Sequence, residues 1–421
     1  MATLIFILFA LLGVPLFAMF GGVALYSYDQ LAMNPIAIIS EYYKLASQPV
    51  LLTIPLFTFA GYMLAESNAP TRLVNVARSV VGWMPGGLAI VTLFACAFFT
   101  AFTGASGVTI IALGGLLYPI LIKENYPDKF AMGLVTCCGS LGLLFPPSLP
   151  LILYGLIGGV SIDKLFIAGI LPGIVLIVIL ATHSIYTGKK INAEPVPFKI
   201  KNVLTSFRAA IWELPLPAVI LVGIYGGFIT VSEAASVAAF YVFIVEVFIY
   251  RDLKIFTDIP RIIQESMILV GGILIILGVA MGMTNMFIDQ EVPFKIFGWV
   301  SQFIHSKWAF LVALNLFLLV VGCLMDIFSA IIVVVPIITP IALKYGVNPI
   351  HLAIIFLTNL EIGYLTPPVG LNLFISSFRF KRSIFDLYRV SLPFLVLLLA
   401  ALMVLTYIPW FSMAVLEFFG M

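Results

Sequence analysis

Two oxygen-rich stretches in the first half of the chain carry residue types that can hold a hard cation. One is Phe102-Thr103-Gly104-Ala105-Ser106-Gly107-Val108-Thr109; the other is Ser140-Leu141-Gly142-Leu143-Leu144-Phe145-Pro146-Pro147-Ser148. Glycines and hydroxyls at a turn free backbone carbonyls from the helical ladder and set side-chain oxygens beside them, while half-helix ends add oriented dipoles. Paired prolines end a helix, because each lacks a backbone donor and drives the preceding residue out of the helical region. In lipid the freed carbonyls must be buried in protein or coordinate something. The structural alternatives are a small-residue packing patch for the first stretch and a plain helix kink for the second.

Both stretches recur. Gly142-Leu143-Leu144-Phe145-Pro146-Pro147 returns as Gly363-Tyr364-Leu365-Thr366-Pro367-Pro368, a shift of 363 − 142 = 221 residues. The same ungapped shift superposes Gly61 on Gly282, Pro119 on Pro340, Leu171 on Leu392 and Pro172 on Pro393. Windows 55–175 and 276–396 hold nine and seven prolines, so chance predicts roughly half a coincidence, yet four occur. The second unit thus has its own turn at 322–329 and its own break at 359–372. It adds two acids: Asp326 just before the turn and Glu361 inside the broken helix. Acids are costly in hydrocarbon, so each is a functional candidate. Asp326 has three readings: balancing a cation, capping the helix that follows, or pairing with a base. Glu233 follows Ser232 at the start of a span, where capping accounts for it.

The elements that position these residues are membrane helices. Hydrophobic residues make up 62% of the chain and charged residues 10%, far from a soluble composition. Strong spans lie near 4–27, 50–65, 131–156, 165–187, 212–230, 233–249, 266–287, 351–377 and 391–412. Stretches 88–121 and 308–343 are too long for one crossing and broken near their middles, which predicts two re-entrant hairpins. The run 3–25 lacks a basic n-region and a small-residue cleavage site, and reads as a retained first helix. Segments 71–83 and 292–305 are amphipathic and precede each hairpin, as interfacial helices do.

With this layout, all basic residues except Lys44, Lys164, Lys295, Lys307 and Lys344 share one side, that is 21 − 5 = 16. The positive-inside rule makes that side cytoplasmic, with the N-terminus inside and the C-terminus outside. Span 50–65 then runs inward while its repeat partner 271–286 runs outward, so the repeats are inverted; hairpin 88–121 opens to the cytoplasm and hairpin 308–343 to the periplasm. The organisation predicted is an N-terminal scaffold helix and loop (1–49), repeat one (50–187), a linker with two scaffold helices (188–265), repeat two (266–412) and a tail (413–421). The linker segment 188–208, with Pro195, Pro197 and five basic residues, reads as a cytoplasmic connector or a lipid-headgroup patch.

Several function classes fall away. The net charge of +2 and the lack of a long basic run give no reason to expect nucleic acid. Cys96, Cys137, Cys138 and Cys323 lie within predicted helices, and His183, His305 and His351 have no metal-ligand spacing. No Walker motif or dinucleotide fingerprint is present, so neither ATP hydrolysis on this chain nor an organic cofactor is expected. An enzyme is disfavoured. A proton-coupled carrier using Asp326 or Glu361 and an anion channel remain as alternatives to cation-coupled transport.

Longer motifs point to a family. Ile54-Pro55-Leu56-Phe57-Thr58-Phe59-Ala60-Gly61, the first turn, Pro146-Pro147-Ser148, Met325-Asp326, Thr230-Val231-Ser232-Glu233-Ala234-Ala235 and the run from Asn359 through Thr366-Pro367-Pro368-Val369-Gly370-Leu371 to Asn372 together resemble the large membrane subunit of tripartite ATP-independent periplasmic (TRAP) transporters, of DctM type. The resemblance covers nearly the whole chain. It implies an all-α polytopic inner-membrane protein like the ion-transporter superfamily, with an elevator motion of the hairpin domain against a scaffold. It also implies sodium-driven uptake of an organic acid, such as sialic acid or a C4-dicarboxylate, delivered by a periplasmic binding protein. A small four-helix membrane subunit is the further partner, expected here as a separate chain because the sequence begins at the first helix of the large subunit.

Carried over by residue, the resemblance implies sodium ligands at Thr103, Gly104, Ser106, Ser140, Gly142 and Pro146, and at Gly322, Asp326, Asn359, Gly363, Thr366 and Pro367. Ser106, Ser148, Thr366, Val369 and Asn372 are the implied substrate contacts. The second turn, Asp326-Ile327-Phe328-Ser329, is poorer in glycine and hydroxyls than the first, so more of its ligands are expected from backbone carbonyls.

Overall fold

The computed structural model describes residues 14–31, 33–191 and 198–420. The first half of the predicted N-terminal helix, and Pro195 and Pro197 of the linker, lie outside them. Among the described residues there is no strand. The helices in chain order are α1 (Leu16–Gln30), α2 (Ile36–Ala46), α3 (Thr53–Glu66), α4 (Ala69–Val81), α5 (Gly87–Thr103), α6 (Ser106–Lys123), α7 (Asp128–Cys138), α8 (Leu149–Gly158), α9 (Ile162–Lys190) and α10 (Ile200–Ala209). They continue with α11 (Pro215–Tyr225), α12 (Val231–Ile244), α13 (Asp258–Asp289), α14 (Val292–Val300), α15 (Lys307–Leu324), α16 (Ile327–Lys344), α17 (Pro349–Gly363), α18 (Leu371–Phe380), α19 (Ile384–Tyr407) and α20 (Trp410–Phe418). Eight are long and apolar enough to cross a membrane, alone or with the short turn that continues them, and a ninth crossing results if the α7–α8 pair, bent by 46°, counts as one.

The repeat is visible element by element. Helix α16 begins and ends 221 residues after α6, and α17 begins 221 residues after α7. Prolines sit inside α6, α9, α16 and α19 at the matched positions 119, 172, 340 and 393. Both expected breaks are present. In the first, α7 stops at Cys138, a 3-10 turn covers Leu141–Leu144, and Phe145 is extended ahead of the prolines, as a pre-proline residue must be. In the second, α17 ends at Gly363 and α18 starts at Leu371. The Pro146–Pro147 and Pro367–Pro368 peptides are both cis.

Packing exchanges the repeats. Half-helix α8 packs on α16 and α18 packs on α6, while α7 packs on α19 and α17 on α9. Each break therefore lies beside the second arm of the other repeat's hairpin, and both junctions share one buried interior.

Among the described residues, the ion pairs and hydrogen bonds between loops fall into two groups. In one, Arg72 reaches Glu213, Glu246 and Asp252, Arg78 reaches Glu124, Arg261 reaches Glu66 and Arg382 reaches Asp128. In the other, Ser232 Oγ donates to Pro49 O, Tyr225 OH to Asp163 O, Tyr345 OH to Ile304 O and Lys307 Nζ to Gly346 O. These are the two sides that the charge distribution separates. The roots of hairpin α15–α16 are joined directly by the Lys307–Gly346 bond, and the roots of α5–α6 lie near the Arg78–Glu124 pair.

One expected span differs. Of 212–230 only Pro215–Tyr225 is helical, 11 residues or about 16 Å of rise. Pro215 starts it, and Gly226 with Gly227 (φ +70°) ends it. Its ends still reach opposite loop groups: Tyr241 OH donates to Trp212 O on one side, and Tyr225 meets Asp163 on the other.

Candidate functional site

Each hairpin is bonded, at its tip or one turn below it, to the broken helix of its own repeat. In repeat one, Gly104 ends α5 in the left-handed region (φ +63°), where a Cβ is disfavoured and would also strike Leu149. One turn below, the Thr100 hydroxyl donates to Gly139 O at 2.9 Å and pairs with Thr109 Oγ1 at 2.7 Å, tying both arms to the break. In repeat two, Ile327 N donates to Tyr364 OH at 2.6 Å, and Gly370 N donates to Cys323 O at 3.1 Å.

Glycine makes both junctions close. A Cβ on Gly142 would lie 2.2 Å from Ala97 O and 2.4 Å from Ala101 N. One on Gly363 would lie 2.7 Å from the Gly322 backbone. Residues 101 and 322 are themselves 221 apart, so the same helix-on-break approach is built twice.

The breaks also meet each other. Ser140 Oγ lies 3.5 Å from Glu361 O as donor, and Asn372 Nδ2 donates at 3.4 Å to both Thr136 O and Ser140 Oγ. Ser140, Glu361 and Asn372 are all buried. Here two residues of the repeat-two break converge on one from repeat one. Asn372 Oδ1 and both carboxylate oxygens of Glu361 have no protein partner. An interior holding several carbonyls, hydroxyls and unpaired side-chain oxygens presents donors suited to hard ions.

The other expected residues occupy distinct places. Thr103 and Ser106 are buried at the first tip, and Pro146 is buried in the first break. Thr366 is half-buried, its hydroxyl on Ile362 O at 3.1 Å, and Pro367 and Val369 are exposed. The Ser148 hydroxyl is taken by Leu143 O, inside its own break. Asp326 caps α16: Oδ1 accepts from Phe328 N and Ser329 N at 3.0 Å, and Oδ2 is engaged by Ser329 Oγ. Asn359 engages another helix through its amide nitrogen and keeps its Oδ1 without a protein partner. Its Nδ2 donates at 2.8 Å to Asn315 Oδ1, within a buried network that includes Thr406. At Glu233 the capping role holds, with Thr230 as its partner in a capping box.

Residues 3–411 match the family described as "Tripartite ATP-independent periplasmic transporter, DctM component". The chain belongs to this family. The DctM protein of Pseudomonas aeruginosa, a C4-dicarboxylate TRAP transporter large permease, is 38% identical over 91% of this chain and 88% of its own length. The 2,3-diketo-L-gulonate TRAP large permease YiaN of Escherichia coli is 29% identical over 85% and 84%. The isethionate permease DctMQ of Oleidesulfovibrio alaskensis is 34% identical over 96% of this chain, which spans 64% of that protein. Among solved structures, the Alcanivorax borkumensis YdaH transporter superposes with a TM-score of 0.63 at 14% identity, covering 98% of both chains, a likeness of fold. DctM components are transporter permeases, not enzymes.

Sequence reasoning passed over several buried polar residues of this DctM component. Tyr364 is the one aromatic within the second break's Gly-Tyr-Leu-Thr-Pro-Pro, which was its available signal. Asn315 stands alone in an apolar helix, and Glu246 lies inside a span, so both were legible as polar residues in hydrocarbon. Their partners, 44 and 174 residues away, were not.

Proposed function

We propose that this DctM component is the permease of a sodium-coupled symporter that imports an organic acid, a C4-dicarboxylate or a sugar acid such as sialic acid. The reading rests foremost on the two tip-and-break junctions built 221 residues apart and meeting at Ser140, Glu361 and Asn372. Sodium binds at both: near Thr103, Gly104, Ser106, Ser140, Gly142 and Pro146 in one, near Gly322, Asn359, Gly363, Thr366 and Pro367 in the other. Asp326 supplies charge there, its carboxylate oxygens being committed to the cap. The acid sits between the tips, on backbone amides, the hydroxyls of Ser106 and Thr366, Val369 and Asn372, with Ser148 joining when it releases Leu143 O.

The repeats are inverted, which the two loop groups support by rooting one hairpin in each. The hairpin domain moves as an elevator against a scaffold. The loop group rich in arginine is cytoplasmic in a bacterial inner membrane, placing the N-terminus inside and the C-terminus outside. A periplasmic binding protein delivers the acid, and a separate four-helix subunit completes the membrane complex.

The test is uptake by proteoliposomes holding the permease, small subunit and binding protein, with the sodium gradient on or off at fixed pH and potential. Accumulation is expected only with inward sodium, and Ser106→Phe or Thr366→Phe should abolish it while membrane insertion persists. Full uptake in both variants would overturn the site assignment. A second reading, proton coupling, is favoured by the unpartnered, fully buried carboxyl of Glu361. It predicts uptake driven by a proton gradient without sodium and lost in Glu361→Gln; sodium-dependent uptake surviving in that variant would remove it.

A further inference from the structure

A cavity of about 450 Å3 lies between α4 and α10, on the side of the molecule where Arg72 meets Asp252. Its lining includes Asn75, Arg78, Lys201, Asn202, Thr205 and Ser206. All are polar, and the stretch 198–212 contains no acid.

The lining carries three cations and no acid, two of the cations being paired with carboxylates outside it. Arg72, also in the wall, is spent on three carboxylates. Arg78 gives Nη2 to Glu124 at 2.6 Å, but its Nε is buried and unpartnered. Lys201 forms no ion pair among the described residues. The lining thus offers the free ammonium of Lys201, the Arg78 guanidinium already paired on one side, and neighbouring hydroxyls and amides, a donor-rich set that matches a phosphate.

The depth of the cavity decides where that phosphate comes from. Helix α10 buries none of its residues. Ile200, Leu204 and Phe207, spaced i, i+4 and i+7, form one apolar stripe, 42–75% exposed, and Ile211 just beyond the helix is exposed too. Such a stripe beside a basic face seats a helix in the membrane interface. Trp83 and Trp212, both exposed at the ends of this helix pair, mark the same level as interfacial aromatics do. The cavity therefore opens at headgroup depth, between two interfacial helices.

We propose that it binds the headgroup phosphate of an anionic phospholipid, held chiefly by Lys201 and Arg78. The bound lipid clamps α10 to α4, whose opposite, apolar face lines a groove with Phe94 and Phe98 of the first hairpin. Headgroup occupancy thus steadies the root of α5. The proposal is independent of the coupling ion and the transported acid.

The complex is reconstituted in nanodiscs of mixed phosphatidylglycerol and phosphatidylcholine, extracted into detergent, and its retained lipid counted by native mass spectrometry. Lys201→Gln is expected to reduce retained phosphatidylglycerol about fivefold, one basic residue's share of attraction to an anionic surface. Lys199→Gln, at the N-cap of the same helix but outside the cavity, should retain as much as the native chain, and phosphatidylcholine should not change. Unchanged phosphatidylglycerol in Lys201→Gln would overturn the proposal, as would equal losses in both variants. Full displacement of the lipid by millimolar inorganic phosphate would also overturn it and assign the site to a soluble anion. Heat denaturation of Lys201→Gln at the native midpoint confirms that a loss is not misfolding.

Discussion

Replacing Arg72 with methionine is expected to destabilise the protein by about 3 kcal/mol, the cost of leaving buried charges without their partner. Arg72 is the hub of a cluster, with Nη1 2.7 Å from Asp252, Nη2 3.0 Å from Glu246, and Nε on Glu213. Its guanidinium also lies 3.9 Å from the centre of the Tyr250 ring. Glu213 and Glu246 are 2% and 0% exposed, so water cannot replace the arginine. Methionine keeps the volume but no donor. A combined R72M, E213Q, E246Q, D252N variant should recover most of the loss, because the desolvated charges go with it. Heat denaturation in detergent reads both results, and an unchanged midpoint in R72M would show that the cluster does not tie α4 to the segments carrying Glu213, Glu246 and Asp252.

The penalty should depend on pH. Burial raises the Glu213 carboxyl above its ordinary value, against the lowering influence of Arg72. A raised folded-state pKa gives stability that is present below the unfolded value and lost as pH rises through the folded one. Without Arg72 that rise is larger, so the R72M deficit should grow between about pH 5 and about pH 8, above the unfolded glutamate value. Asp252 acts with the same sign at lower pH, below the unfolded aspartate value. Burial pushes its carboxyl up, but hydrogen bonds from Asn68 and Arg72 outweigh this and hold it low. Its stability is present above the unfolded value and lost as pH falls through the folded one. Removing Arg72 therefore costs most at the higher pH, and equal deficits at both would refute the assignment.

Substituting Gly142 or Gly363 with valine is the second large effect, with uptake expected to fall at least tenfold. The first Cβ would stand 2.2 Å from Ala97 O and the second 2.7 Å from Gly322 Cα. Backbone cannot rotate away as a side chain does, so the hairpin arm must separate from the break. Overpacking of this kind costs about 1–3 kcal/mol, and each 1.4 kcal/mol is a factor of ten. Gly271→Ala is the control, since nothing lies within 4 Å of its added Cβ, and it should leave uptake within about twofold. Native uptake in both junction variants would show that the close approach is not needed.

Much of this architecture was legible in one dimension. Proline and glycine act locally, so the breaks at Pro146-Pro147 and Pro367-Pro368 and the turns after Thr103 and Met325 followed from residue type alone. Apolar length set the spans, and arginine and lysine sorted the loops into two groups that the ion pairs respect. Helix α11 was overestimated because hydrophobicity does not register where Pro215 and Gly227 confine the helix.

Tertiary structure decided what each polar atom does. Asp326 and Ser148 carry ligand chemistry; in this structure one caps a helix and the other bonds Leu143 O, because short-range backbone partners engage them. Asn359 turned toward Asn315 on another helix, and Glu361 was left unpaired beside Ser140 and Asn372. The sequence by itself determined where helices begin, break and reverse, since those events are governed by residues within a turn of one another. The convergence of Ser140, Glu361 and Asn372, and of Arg72 with its three acids, was settled only when packing brought together side chains up to 232 residues apart. Nothing local encodes those distances.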